Sequence, residues 1–266
     1  MSGIRLALKT SKPITSAVAG LVVFVILLSN ARFSVLSSIF HSMPVVLVTM
    51  MAFVVNDIYD YEKDVRGNLD KPIAKGLLSK KTATLYAMVI ACSATITELL
   101  LNGYSSLIVF LAALFGALVY SPLSTKVPTA KGFATAALSL MPVIYASSIA
   151  NISVPYYIFF SIALFIIGRE ILLDTKHLVG DLASGIRTIS SYMGLNISRI
   201  VAWSLMFAGV VYFFLNLTSV YAVALSSAGL FCLMLALILD IRNRVKHGGI
   251  TILTMIFTLL AIPFAI

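Results

Sequence analysis

Residues 45–64 read VVLVTMMAFVVNDIYDYEKD. An apolar run broken by a single threonine gives way abruptly to a stretch holding Asp57, Asp60, Glu62 and Asp64, four of the ten acidic residues in the chain. An apolar segment of this kind is a helix in a bilayer, and the carboxylates mark where it leaves the lipid. The rest of the sequence agrees. Of 266 residues, 60% are hydrophobic and 11% charged, with a mean hydropathy of +1.04, whereas soluble domains carry about 25% charged residues. Runs of similar character lie near 14–29, 35–56, 83–101, 104–121, 132–150, 154–173, 197–216, 219–240 and 249–265. They predict an all-α polytopic membrane protein of nine transmembrane helices. Asn102-Gly103, Pro122, Pro128, Asn151, Gly194, Asn216 and Gly248-Gly249 punctuate the gaps as turn-formers. No gap has linker composition, so residues 1–266 are expected to form a single domain.

The net charge of +9 is a matter of position. Eighteen of the nineteen lysines and arginines fall before span 1 or in and around the even-to-odd connections, with Arg32 the exception. Positive residues stay cytoplasmic, so the N-terminus is expected inside and the C-terminus outside. A basic surface for nucleic acid is thereby excluded. Cys92 and Cys232 lie in apolar segments as ordinary small residues, with no disulfide or CxxC chemistry. Arg5, Lys9 and Lys12 precede span 1 as in a signal peptide, but no small-residue cleavage site follows, so a retained first helix is expected.

Eight of the ten carboxylates gather in two connections on the same predicted side. Asp57, Asp60 and Asp64 are spaced i, i+3, i+7, which lines one face of a helix. In REILLDTKHLVGD, residues 169–181, Asp174, His177 and Asp181 repeat that spacing. Carboxylates so arranged repel one another at helix C-terminal ends, where the backbone dipole also disfavours them. A solvated loop with acids paired to neighbouring lysines is the ordinary reading of one such array. Two arrays of equal spacing on one side point instead to hard divalent ions, Mg2+ or Mn2+, which join carboxylates to substrate phosphates. Arg66, Lys71, Lys126 and Arg187 are near enough in sequence to hold phosphate oxygens, or to serve as positive-inside anchors. Apolar helices with a metal–diphosphate mouth imply an amphiphilic substrate, an isoprenoid diphosphate.

These residues resemble the UbiA superfamily of intramembrane prenyltransferases. NDIYDYEKD (56–64) is similar to its first aspartate-rich motif, REILLDTKHLVGDLASGIRT (169–188) to its second, and VYSPLSTK (119–126) and LDKPIAKG (69–76) to two further signatures. The resemblance implies a helical bundle around a central cavity, with cytoplasmic helical caps that carry the aspartates. It implies Mg2+ between those aspartates and a polyprenyl diphosphate, which ionises so that an acceptor can attack the allylic cation. Carried over by position, Asp57, Asp60, Asp64, Asp174 and Asp181 are the catalytic metal ligands. Asn56, Lys71, Lys126 and Arg187 are substrate contacts, joined by Arg66, Tyr120 and His177 as further candidates. His177 stands where the family commonly has aspartate. It is open to four readings: a Mn2+ or Zn2+ ligand, a hydrogen-bond donor to diphosphate, a base, or a neutral replacement. Glu170, one turn earlier, could supply the missing carboxylate.

The expected reaction is transfer of the prenyl chain to an aromatic, quinone-type acceptor. A glycerophosphate ether-lipid acceptor and internal capture of the cation, as in a terpene cyclase, are the alternatives. A transporter would carry its charges at mid-membrane along a pathway, and these spans are nearly free of charge. Tyr59 and Tyr61 suit helix packing, with Tyr120 balanced between packing and a cation-facing role. His41 and His247 suit interfacial anchoring, and Glu98, near the outer end of span 3, is expected to be solvated at the interface. Asn151 and Asn216 begin glycosylation sequons on the predicted outer side.

Overall fold

A backbone surrounded by hydrocarbon must satisfy its own hydrogen bonds, and helices do so within one segment. The computed structural model describes residues 3–183, 185–241 and 247–265; the side chains of a few helical residues, His177 and His247 among them, lie outside that description. Among the described residues there is no strand. The α-helices are α1 (Gly3–Ser11), α2 (Pro13–Leu28), α3 (Val35–Tyr59), α4 (Tyr61–Arg66), α5 (Lys80–Leu101), α6 (Tyr104–Lys126), α7 (Lys131–Ala150), α8 (Tyr156–Ala183), α9 (Ile189–Met193), α10 (Leu195–Leu215), α11 (Val220–Ile241) and α12 (His247–Ala261). Among the described residues seven helices are long and apolar enough to cross a membrane, and α1 with α2, bent by 52°, makes an eighth if taken as one broken span. The ninth expected span falls on a shorter apolar helix, Gly249–Phe264. Large apolar side chains such as Leu100, Ile108 and Ile200 are exposed, as hydrocarbon contact requires.

The chain forms two compact units. One comprises Met1–Leu27, Arg32–Val127 and Met141–Asn151; the other Leu28–Ala31, Pro128–Leu140 and Ile152–Ile266. In the first, α3 packs against α5, α6 and α1. Small residues on α5 (Ala83, Ala87, Ala94) are buried, with Met51 and Val54 of α3 in the same core. Ser34 and Ser79 start α3 and α5 as N-caps, their hydroxyls accepting the amides of Ser37 and Thr82. In the second unit α8 packs on α10, α10 on α11, and α11 on α12. Glycines set the closest approach. A Cβ at Gly168 of α8 would stand 2.5 Å from the Ala202 carbonyl oxygen, and one at Gly209 of α10 2.7 Å from that of Ser161. Gly168→Ala should therefore push α8 and α10 apart and cost about 1–3 kcal/mol, read as a lowered melting temperature of the solubilised protein. An unchanged melting temperature would refute the close approach. Near the far end of α11 the Asp240 carboxylate accepts from the Arg199 guanidinium (Nε, 3.1 Å) and the Trp203 indole (2.9 Å).

Two local expectations change. Pro122 sits inside α6, not at its end. Proline is tolerated in membrane helices, and here it falls in the last turns of α6, where Ser124 and Thr125 both donate to the Ser121 carbonyl. Glu98 is not solvated: its side chain is 1% exposed. Its carboxylate accepts from the Tyr145 hydroxyl, from Asn102 Nδ2 at 2.8 Å and from Ser106 Oγ at 2.9 Å. Asn102 Oδ1 in turn meets His41 Nδ1, which gives His41 a partner other than the interface. With both amide hydrogens of Asn102 committed to Glu98 and Tyr145, the hydrogen on this contact must come from His41. The network ties α3, α5, α6 and α7 at one end of the first unit.

Candidate active site

The first array is built where α3 hands over to α4. Asp57 lies in the last turn of α3, Asp60 between the helices, and Asp64 within α4. Asp57 and Asp64 are buried at 2% and 3% exposure in a region of otherwise exposed charge. The chain then reverses. Asn68 adopts a left-handed φ of 49°, and the Leu69 amide bonds back to the Asp64 carbonyl at 3.0 Å, a helix-ending turn that asparagine tolerates. Ile73 and Leu78 anchor the returning strand of chain in the core. This return delivers Lys71, whose ammonium is 2.9 Å from Asp57 Oδ1 and 2.7 Å from Asp64 Oδ2.

The electrostatics follow from burial. Desolvation raises the Asp64 carboxyl above the usual aspartate range, and the bond from Lys71 offsets that only in part. Desolvation also pulls Lys71 down, but the bonds and charges of Asp64 and Asp57 outweigh it and hold the ammonium above its ordinary value. Asp57 Oδ1 is buried and meets the Lys71 ammonium at 2.9 Å. Asp60 is turned elsewhere: its Oδ2 accepts from Asn56 Nδ2 at 2.8 Å, and Asn56 Oδ1 accepts from Ser121 at 3.5 Å. The structure thus brings Asp57 and Asp64 together and gives Asn56 the task of orienting Asp60. Glu62 and Arg66 pair with each other at 3.3 Å on the solvent side. Asp70 is exposed, and hydrogen bonds from Lys75 and Lys9 lower its pKa.

The second array lies along α8, a single helix of 28 residues. At 1.5 Å per residue it is about 42 Å long and outruns a hydrocarbon core of about 30 Å, so its last turns stand clear of the most apolar stretch. Glu170, Asp174 and Asp181 are all buried on it. The end of α8 repeats the device at the first array. Gly185 has φ 71°, and the Ile186 amide bonds to the Asp181 carbonyl, the same five-residue return that joins Leu69 to Asp64. A lysine again bridges two carboxylates: Lys131 Nζ is 2.8 Å from Asp174 Oδ1 and 3.4 Å from Glu170 Oε2. The His177 side chain lies outside the described residues.

The other sequence candidates are spread more widely. Tyr120 is half-buried on α6, Lys126 ends that helix exposed, and Arg187 is exposed with its guanidinium 6.0 Å from the Tyr192 ring centre. Tyr59 is exposed, while Tyr61 lies under the Lys80 ammonium at 3.9 Å. Two lysines escaped the sequence reading as site residues. Lys12, 4.5 Å over the Phe53 ring, feels the charges of Asp57, Asp64 and Asp60. Lys131, counted from sequence as a topological charge, lies 43 positions from the aspartate it binds, and no local pattern announces it.

Among the described residues no three His, Cys, Asp or Glu groups stand close enough together to enclose a metal ion. The donor set nevertheless fits Mg2+, which takes one or two carboxylates and completes its shell with water and phosphate oxygens. Each array offers such a pair of oxygens around an existing cation.

The chain is similar to several known proteins. The digeranylgeranylglyceryl phosphate synthase of Methanothermobacter thermautotrophicus is 26% identical over 201 residues, covering 73% of this chain and 69% of that protein. The synthase of the same name from Thermococcus sibiricus is 27% identical over 192 residues, 70% and 68% of the two chains. A solved UbiA homolog from Archaeoglobus fulgidus, bound to DMAPP and Mg2+, superposes with a TM-score of 0.72 at 16% identity, over 97% of this chain and 98% of that one. The sequence pattern of the UbiA prenyltransferase family matches residues 15–262, a span that takes in both aspartate arrays and the apolar helices between them. The chain belongs to that family and is an integral membrane prenyltransferase.

Proposed function

We propose that the enzyme transfers a polyprenyl group of the geranylgeranyl class from its diphosphate to the hydroxyl of a glycerophosphate ether lipid. The observation that carries the acceptor is the similarity to synthases of digeranylgeranylglyceryl phosphate along about 70% of the chain. The aromatic, quinone-type acceptor expected from the family resemblance gives way to it. The aspartate motifs handle the diphosphate, which every acceptor class shares, so the motifs could not choose between acceptors.

In this reading Asp57, Asp60 and Asp64, with Asp174 and Asp181, hold Mg2+ for the donor diphosphate, with Mn2+ as a substitute. When bound, the metal draws negative charge off the departing diphosphate. Lys71, Lys126, Arg66, Arg187 and His177 hold phosphate oxygens, Asn56 keeps Asp60 aimed, and Tyr120 faces the developing cation. The allylic C1–O bond breaks with its electron pair going to diphosphate. The acceptor oxygen then closes the ether bond at C1, and its proton passes to the released diphosphate. Apolar helices around the prenyl tail keep water from quenching the cation. Nine spans, with the N-terminus and arrays cytoplasmic and the C-terminus outside, complete the proposal.

Purified protein in lipid nanodiscs, given geranylgeranyl diphosphate and Mg2+, should form the diether product from geranylgeranylglyceryl phosphate and none from an aromatic acid acceptor. EDTA should abolish the product, and Mn2+ should restore it in part. An aromatic product alone, or a cyclic hydrocarbon without acceptor, would overturn the assignment.

A further inference from the structure

In both units the place of a metal ion is taken by a lysine of the chain itself. Lys71 bridges Asp57 and Asp64 at 2.9 and 2.7 Å, and Lys131 bridges Asp174 and Glu170 at 2.8 and 3.4 Å. These lysines are of different origin in the chain. Lys71 arrives seven residues after Asp64 by the Asn68 turn, while Lys131 opens α7, far from Asp174 in sequence. The same cation geometry has thus been reached by two routes. The start of α7 lies close to α8, a Cβ at Gly132 standing 3.7 Å from Glu170 Cβ, so Lys131 is delivered by packing and not by a flexible reach.

We propose that Lys71 and Lys131 are resident counter-cations, and that Lys131 with Glu170 and Asp174 supplies the cation site of the second array where His177 interrupts its aspartates. The inference rests on the metal-dependent reading above. A divalent ion at about 2.1 Å from a carboxylate oxygen cannot share that oxygen pair with an ammonium, so loading exchanges one for the other. The displaced lysine stays protonated and is freed to meet a phosphate oxygen. Both buried carboxylate clusters are partly neutralised before metal arrives, which reduces the repulsion that an empty site would impose. Glu170, and not the aspartate pattern alone, becomes a ligand.

The test uses the full-length protein in nanodiscs and Mn2+ alone as probe. Lys131→Gln should raise Mn2+ affinity at one class of site by roughly fivefold, since no ammonium has to leave. It should also lower the melting temperature in metal-free buffer by an amount that Mn2+ restores. Lys131→Arg should keep wild-type behaviour in both measurements. Glu170→Gln should weaken that site roughly tenfold. Acetylation of Lys131, followed by mass spectrometry in the wild-type protein, should speed up when Mn2+ is added. Where Lys131→Gln does not fold, the labelling and Glu170→Gln decide the matter. Labelling unmoved by Mn2+, or Mn2+ affinity unmoved by Glu170→Gln, overturns the exchange. Wild-type protein that binds no Mn2+ overturns instead the metal-dependent function.

Discussion

Asp64→Asn is expected to lower prenyl transfer by roughly 10²–10³-fold, the range for removing one group that stabilises charge in the transition state, while leaving the melting temperature unchanged or higher. The two halves have one cause. Asp64 is buried beside Asp57, and its carboxyl is held above the usual range by desolvation even with Lys71 at 2.7 Å. A carboxyl whose folded pKa is raised contributes stability at low pH that is lost as pH rises through the folded value. Carrying its charge therefore costs stability as pH rises, and the neutral isostere removes that cost. In the proposed function the protein keeps that charge as a metal ligand. Activity against geranylgeranyl diphosphate at saturating Mg2+, with thermal unfolding of the same sample, measures both. Full activity in the variant would remove Asp64 from the metal site. A large drop in melting temperature would make it a structural residue instead.

Glu98→Leu has its effect at the other end of the first unit and on stability alone. The substitution strips Tyr145 and Asn102 of the acceptor they share and leaves their donors buried. Hydrogen bonds between membrane helices average only about 0.6 kcal/mol, but an orphaned buried donor costs about 1–3 kcal/mol. A loss on the order of 2–3 kcal/mol follows, with Ser106 spared because it also donates to the Gly103 carbonyl at 2.8 Å. Glu98→Gln should lose less, since its amide oxygen still accepts. Below the melting transition, prenyl transfer should stay within about twofold of wild type, because Glu98 stands 18 residues along α5 from its Lys80 end, about 27 Å at helical rise. Unfolding in detergent checks the first expectation, and a melting temperature equal to wild type would mean that water reaches the carboxylate.

Glu98 also marks where reading by sequence stops. A lone carboxylate near a helix end is solvated at the interface in the general case. Its burial depends on Tyr145, 47 positions away, and nothing in either segment advertises the other. Asp57 and Asp64 were legible because their partners are local: the i, i+7 spacing sets a shared face, and the Asn68 turn brings Lys71 back within a few residues. Asp60 shows the limit of that argument. It has the right spacing, yet Asn56 one turn earlier captures its carboxylate.

What the sequence determined by itself is the membrane setting, the helical class and the two carboxylate arrays. These follow from hydropathy over about 20 residues and from spacing along one helix, both short-range properties. Only the tertiary structure decided that a lysine occupies each carboxylate pair, that Glu170 joins Asp174 through Lys131, and that Glu98 is the centre of a dry polar network. The pairings of Lys131 with Asp174 and of Glu98 with Tyr145 join residues 43 and 47 positions apart. They arise because close helix contacts, such as those at Gly168 and Gly209, fix which faces meet, and a sequence pattern records a face without recording its partner.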